Sequence, residues 1–98
     1  MITAIVLVRC AVERIPEVAE AIADLPGVSE VYSVTGSVDL VAIVRVREHE
    51  ALAEVIADRL SKVPGVRETD THIAFRSYSQ HDLEAAFSLG FDEGADPD

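Results

Sequence analysis

Cations are scarce in this chain. Eight Lys and Arg stand against eighteen Asp and Glu, a formal net charge of −10 over 98 residues. Direct binding to a phosphate backbone needs clustered Lys and Arg that displace counterions, so direct nucleic-acid binding is not expected. Cysteine occurs once, at Cys10, which rules out an intramolecular disulfide and a multi-thiolate metal site. Tryptophan is absent and aromatics amount to three Phe and two Tyr, leaving the packing to Val, Ala, Leu and Ile. The longest apolar stretch, Ile2–Val8, is too short to span a membrane and lacks the basic flank of a signal peptide. The expected location is the cytoplasm, with no membrane partner.

What is present is enough for one domain. Apolar residues make up 49% of the chain, and a domain of this size buries about 60–65% of its unfolded surface. Ile2–Val8 is a continuous β-rich run, as in a central strand covered on both faces. Ile15, Val18, Ala19, Ile22 and Ala23 recur at helical spacing, Pro16 suits a first turn, and Pro26-Gly27 ends the helix. Val28–Val34 and Val38–Val46 read as strands separated by Thr35-Gly36-Ser37. Leu52, Val55, Ile56 and Leu60 predict a second amphipathic helix closed by Pro64-Gly65. The last strand lies within Val66–Tyr78, with Thr69, Thr71, Ile73, Phe75 and Ser77 on one side. Ser79 and Asp82 resemble a capping box opening a short C-terminal helix over 79–91, with Leu83, Ala86 and Phe87 on one face and Gly90 at its end. An acidic tail, 92–98, follows.

Leu25-Pro26-Gly27-Val28-Ser29-Glu30 echoes Val63-Pro64-Gly65-Val66-Arg67-Glu68, and each copy leaves a helix and opens a strand. Two β-α-β halves of this kind predict an α+β, ferredoxin-like βαββαβ sandwich. It is a four-stranded antiparallel sheet with two helices on one face, of the dimeric α+β barrel type. Strands one and three, the most apolar, take the centre. Such a sheet should be polar on its open side. Here Ile5 and Leu7 oppose Ala4, Val6 and Val8, and Val41 and Ile43 oppose Ala42 and Val44, so both faces are apolar. An exposed patch of several hundred Å² is unusual on a monomer. A second subunit is the expected cover, the C-terminal helix folding back being the other.

The run LPGVSEVYSVTGSVDLVAIVRV, then a helix and VPGVRETDTHIAF, resembles the effector domain of the leucine-responsive regulatory protein (Lrp)/AsnC family. This is the RAM module, for regulation of amino acid metabolism. The resemblance covers roughly Met1 to Tyr78. It rests on three elements in order: helix–(L/V)PGV–strand, TGxxD before the third strand, and Thr-x-Thr in the last. Full-length members carry an N-terminal helix-turn-helix. With its first strand opening at residue 2, the chain is similar to the stand-alone RAM proteins. The resemblance implies sheet-to-sheet dimers assembling into octamers or rings, amino-acid effectors bound between dimers, and full-length Lrp/AsnC regulators as partners.

Candidate ligand-binding residues cluster around the TGxxD loop. Gly36 supplies the positive φ a hairpin needs, and the amides of Gly36 and Ser37 offer a carboxylate site. Asp39 either caps the turn through nearby backbone or accepts hydrogen bonds from a ligand ammonium; the resemblance places it in the effector loop. Thr35 belongs to the same loop. Thr69 and Thr71 are ordinary strand residues or carboxylate donors at the rim. Tyr32, Val34 and Val38 either wall an apolar pocket or serve the core and interface. Family members often carry an acidic residue and then an aromatic where this chain has Ser37 and Val38, which removes a large pocket wall. His49, His72 and His81 lack the spacing of a metal site, and Cys10 reads as a small buried filler. No cofactor or catalytic set is expected.

Three function classes follow. An amino-acid-sensing oligomer would act on transcription only through DNA-binding partners. A structural domain would have kept the assembly and lost the pocket. A small ferredoxin-like enzyme would need polar groups in the cavity between sheet and helices, and the helix faces carry only Ile, Val, Ala and Leu. The first is the expected function, and the chain is not expected to be an enzyme.

Overall fold

The computed structural model describes residues 1–78. Strand β1, Ile2–Cys10, leads through a 3-10 turn, Val12–Arg14, into helix α1, Ile15–Ala23. Strands β2, Val28–Ser33, and β3, Leu40–Val46, form a hairpin. Helix α2, His49–Ala53, continues into a π-helical stretch, Glu54–Arg59, and a 3-10 turn, Leu60–Lys62, before strand β4, Val66–Ile73. The sheet order is β2-β3-β1-β4 with all three pairings antiparallel. This is the expected ferredoxin-like sandwich, with the two apolar strands in the centre. The C-terminal helix and acidic tail expected over 79–98 lie outside the described residues.

Residues paired directly across antiparallel strands share a face, so the register sorts the sheet into two sides. Ala4, Val6 and Val8 pair with Val44, Ala42 and Leu40, and all six are fully buried. Val18 and Ile22 of α1 and Leu52, Val55 and Leu60 of the second helical segment complete this core. No polar or charged side chain is buried among the described residues, so the space between sheet and helices is filled with hydrocarbon. The other face pairs Ile5 with Ile43 and Leu7 with Val41, and these four are partly exposed.

The second helix departs from the regular amphipathic spiral its sequence predicts. Val55 and Leu60, five residues apart, both reach the core. At 3.6 residues per turn they would diverge by about 140°. Widening the turns over Glu54–Arg59 brings Leu60 back toward the sheet. Ile56, which helical spacing assigns to the buried face, is only partly covered.

Both copies of the repeat use glycine for a left-handed turn. Gly27 and Gly65 have φ of +93° and +102°. A Cβ on Gly65 would stand 2.8 Å from Val18 Cγ2, so the second copy sits directly against α1. Strand ends differ from expectation by two residues in places. β1 extends to Cys10 because Arg9 and Cys10 still pair with β4. β3 begins at Leu40 rather than Val38, and β4 stops at Ile73. The Ala74 N–H to Thr3 O bond, at 2.7 Å, closes that ladder, leaving Phe75 and Ser77 beyond it.

Candidate functional site

Asp39 ties three strands together at one end of the sheet. Its N–H donates to Val8 O at 2.9 Å and its carbonyl accepts the Val34 N–H at 3.1 Å. Its carboxylate Oδ2 accepts the Cys10 N–H at 2.9 Å. An acid at the mouth of an apolar strand is thereby explained: the carboxylate holds the last amide of β1. The four residues between Val34 and Asp39 form the hairpin tip. Gly36 there has φ +113°, and open space where its Cβ would be, so backbone conformation alone calls for glycine. The amides of Gly36 and Ser37 donate no hydrogen bond among the described residues.

This tip, the end of β1 and the start of β4 enclose a hollow of about 490 Å³, lined by Arg9, Cys10, Val12, Gly36, Ser37, Asp39, Arg67 and Glu68. A smaller hollow of about 250 Å³ shares Arg9, Ser37 and Glu68 and extends to Leu7, Val38 and Asp70. Small-molecule sites fall in the range of about 300–1,000 Å³. Arg9 pairs with Glu68 at 3.5 Å. Arg67 has no ion pair or hydrogen bond among the described residues. The Cys10 thiol is held above its ordinary pKa by burial first, then by the Asp39 charge, with Arg67 pulling the other way. It is therefore a neutral thiol near pH 7, in keeping with a packing role.

Gly36, Ser37, Val38 and Asp39 thus meet at the two hollows, while the other expected site residues do not line them. Val34 precedes the tip, and Thr35 is its first residue. Tyr32 stands on the open face of edge strand β2, level with Val41. Its hydroxyl donates to Glu30 Oε2, and Glu30 also pairs with Arg45 at 3.4 Å. The Tyr32 hydrogen bond lowers the Glu30 pKa and raises the Tyr32 pKa. Thr69 and Thr71 pair with Val8 and Val6 and so point to the helix side of the opposite edge strand. Thr69 Oγ1 lies 3.5 Å from Ser61 Oγ. Within one chain the threonines and the TGxxD loop are separate. His72 pairs with Asp70 at 3.3 Å, and no group of three metal-ligating side chains occurs among the described residues.

Sequence reasoning did not select Arg9, Val12, Arg67 and Glu68. Arg67 had a readable signal. It occupies the place in the second repeat that Ser29 occupies in the first, and both are the extra residue of a bulge. β2 skips Ser29 between its Val28–Val44 and Glu30–Ile43 pairs; β4 skips Arg67 between Val66–Cys10 and Glu68–Arg9. Bulges re-aim a side chain and recur beside functional sites.

The family model for the Lrp/AsnC ligand binding domain matches residues 3–83. The chain belongs to the Lrp/AsnC ligand-binding domain family. A crystal structure of TTHA0845 from Thermus thermophilus, 49% identical, matches this RAM domain with a TM-score of 0.76 over 82% of this chain and 100% of that one. The HTH-type transcriptional regulator PH1916 of Pyrococcus horikoshii is 42% identical over 59 residues, 60% of this chain and 39% of the regulator. The chain thus spans well under half the length of that curated relative. The Neisseria meningitidis regulator NMB0573, crystallised as an L-Met complex, shares the RAM fold at 17% identity and a TM-score of 0.72, over 81% of this chain and 53% of that one. No helix among the described residues is long and apolar enough to cross a membrane.

Proposed function

We propose that this RAM domain binds an amino acid in the hollow beneath the TGxxD loop, as part of a homo-oligomer that influences transcription through partner regulators. The observation that carries this reading is the conjunction at that hollow. Gly36 and Ser37, whose amides donate no hydrogen bond among the described residues, line the same space as a carboxylate, Asp39, and a cation without a partner among the described residues, Arg67. Amides and a guanidinium suit carboxylate groups; a carboxylate suits an ammonium. The L-Met complex of NMB0573 supports the ligand class, and Tyr32, Val34, Thr69 and Thr71 would enter the site only across a subunit contact, whereas Val38 already lines the smaller hollow. The apolar open face supports the dimer, and octamers or rings built from it would bring further loops together. A net charge of −10 supports action through a DNA-binding partner, a full-length Lrp/AsnC regulator. The hydrocarbon-filled interior supports a non-enzymatic role.

A structural reading has one observation in its favour: Asp39 already holds the Cys10 amide. Isothermal titration against the twenty amino acids, with light scattering on each mixture, separates the two. Binding of an amino acid is expected at roughly micromolar to millimolar Kd, given about 1.5–3 kcal/mol for each charge-assisted hydrogen bond. Ser37→Pro, which removes one loop amide while leaving Asp39 in place, should weaken it. Heat from none of the twenty, with the oligomer intact, would overturn the effector reading and leave the structural one.

A further inference from the structure

We infer that the hollow selects an acidic amino acid, with Arg67 as the specificity-determining residue that reads the side-chain carboxylate. This deepens the effector reading and rests on it.

The charges lining the hollow balance in number, Arg9 and Arg67 against Asp39 and Glu68, but they are not all paired with one another within the chain. Arg9 and Glu68 satisfy each other at 3.5 Å. Asp39 gives Oδ2 to the Cys10 amide, which leaves Oδ1 for an ammonium. Two anion-seeking features then remain, the amides of Gly36 and Ser37 and the guanidinium of Arg67. A neutral zwitterion offers one carboxylate and leaves one of them unanswered. An amino acid with a second carboxylate answers both. The apolar lining consists of Cys10 and the mostly exposed Val12, a poor wall for a leucine or methionine side chain.

The backbone points the same way. Arg67 is the extra residue of the β4 bulge, so it falls out of the in–out alternation that would have fixed it to one sheet face. The next residue, Glu68, pairs across to Arg9, which fixes the strand on that side. Of the two arginines on the wall of the hollow, Arg9 is taken up by Glu68 and Arg67 has no ion pair among the described residues, in a chain with eight basic residues against eighteen acidic ones. A guanidinium offers a planar fork of donors that matches a carboxylate in two bonds.

The test is titration of the full chain with L-aspartate and L-glutamate, beside L-asparagine, L-glutamine, L-leucine and L-lysine. The acids are expected to bind roughly tenfold or more tighter than their carboxamides. Arg67→Met should abolish that preference, Arg67→Lys should retain part of it, and Arg67→Glu should turn it toward L-lysine. Arg67 is exposed, so the variants should melt with the wild type. Acids binding no better than carboxamides, or an acid preference that survives Arg67→Met, would overturn the inference. Binding of leucine or another amino acid without the acids overturns it while leaving the effector reading intact. Binding of none overturns both.

Discussion

The two faces of the central strands are built from the same kinds of residue and meet opposite fates. On one, Val6, Val8, Ala42 and Val44 are fully buried under the helices. On the other, Ile5, Leu7, Val41 and Ile43 sit opposite one another with water on their outer side, Ile5 at 36% exposure. The rim of the second face is charged, with Arg45–Glu30 and Arg9–Glu68 pairs. Hydrophobicity alone does not distinguish the faces; helix connections on one side of the sheet do. The lesson is that the covered face sets the stability of the single chain, while the open face is where the proposed association would act.

The comparison breaks most visibly at Leu60. This side chain is fully buried and reaches the core only through the widened helix. Leu60→Ala should lower unfolding free energy by about 2–5 kcal/mol in a urea titration. A loss below about 1 kcal/mol would mean the helix relaxes to regular geometry without cost. Ile43→Lys on the open face should act differently, leaving the dilute chain within about 1 kcal/mol of wild type while reducing the particle mass seen by light scattering. The concentration dependence of the wild-type melt should vanish with it. Unchanged mass would show that something other than a second copy covers that face.

The smallest expected effect is at Cys10, on the covered side. Burial raises its pKa in the folded chain, so the unfolded chain loses that proton first as pH rises. Where the unfolded thiol is ionised and the folded one is not, the folded state binds more protons, and stability falls with increasing pH. The contribution is whole below the ordinary thiol range and declines through alkaline pH up to the raised value. Comparing melts of wild type and Cys10→Ala from about pH 7 to 10 should show a slightly steeper alkaline decline in the wild type. Parallel curves would place the thiol in water.

Much of the fold was legible because its signals are local. Pro16, the two Pro-Gly pairs and the apolar runs place the first three strands and the starts of the helices to within two residues, while the last strand stops at Ile73, short of the expected Phe75 and Ser77. In the second helix the pattern at Leu52, Val55, Ile56 and Leu60 satisfies a regular helix, and only packing against the sheet reveals the widened turns. The site was half legible. TGSVD marked the loop, since Gly36 and Asp39 carry their own conformational and charge signatures. Arg9 was not legible, and Arg67 only through its place in the repeat, since strand residues far apart in sequence become neighbours only through the β1–β4 register and its bulge. The threonines of β4 read as ordinary strand residues or as carboxylate donors at the rim, and their pairing with Val8 and Val6 places them on the helix side within one chain.

The sequence by itself determined the two-half architecture, the anionic character, the apolarity of both sheet faces and the loop that holds Asp39, because each follows from residue type and short-range spacing. Tertiary structure alone decided which apolar face the helices cover, which amide the Asp39 carboxylate binds, and that Arg67 leaves its strand ladder beside the hollow. Those outcomes depend on register and chain crossing, where a shift of one residue exchanges one face of a strand for the other.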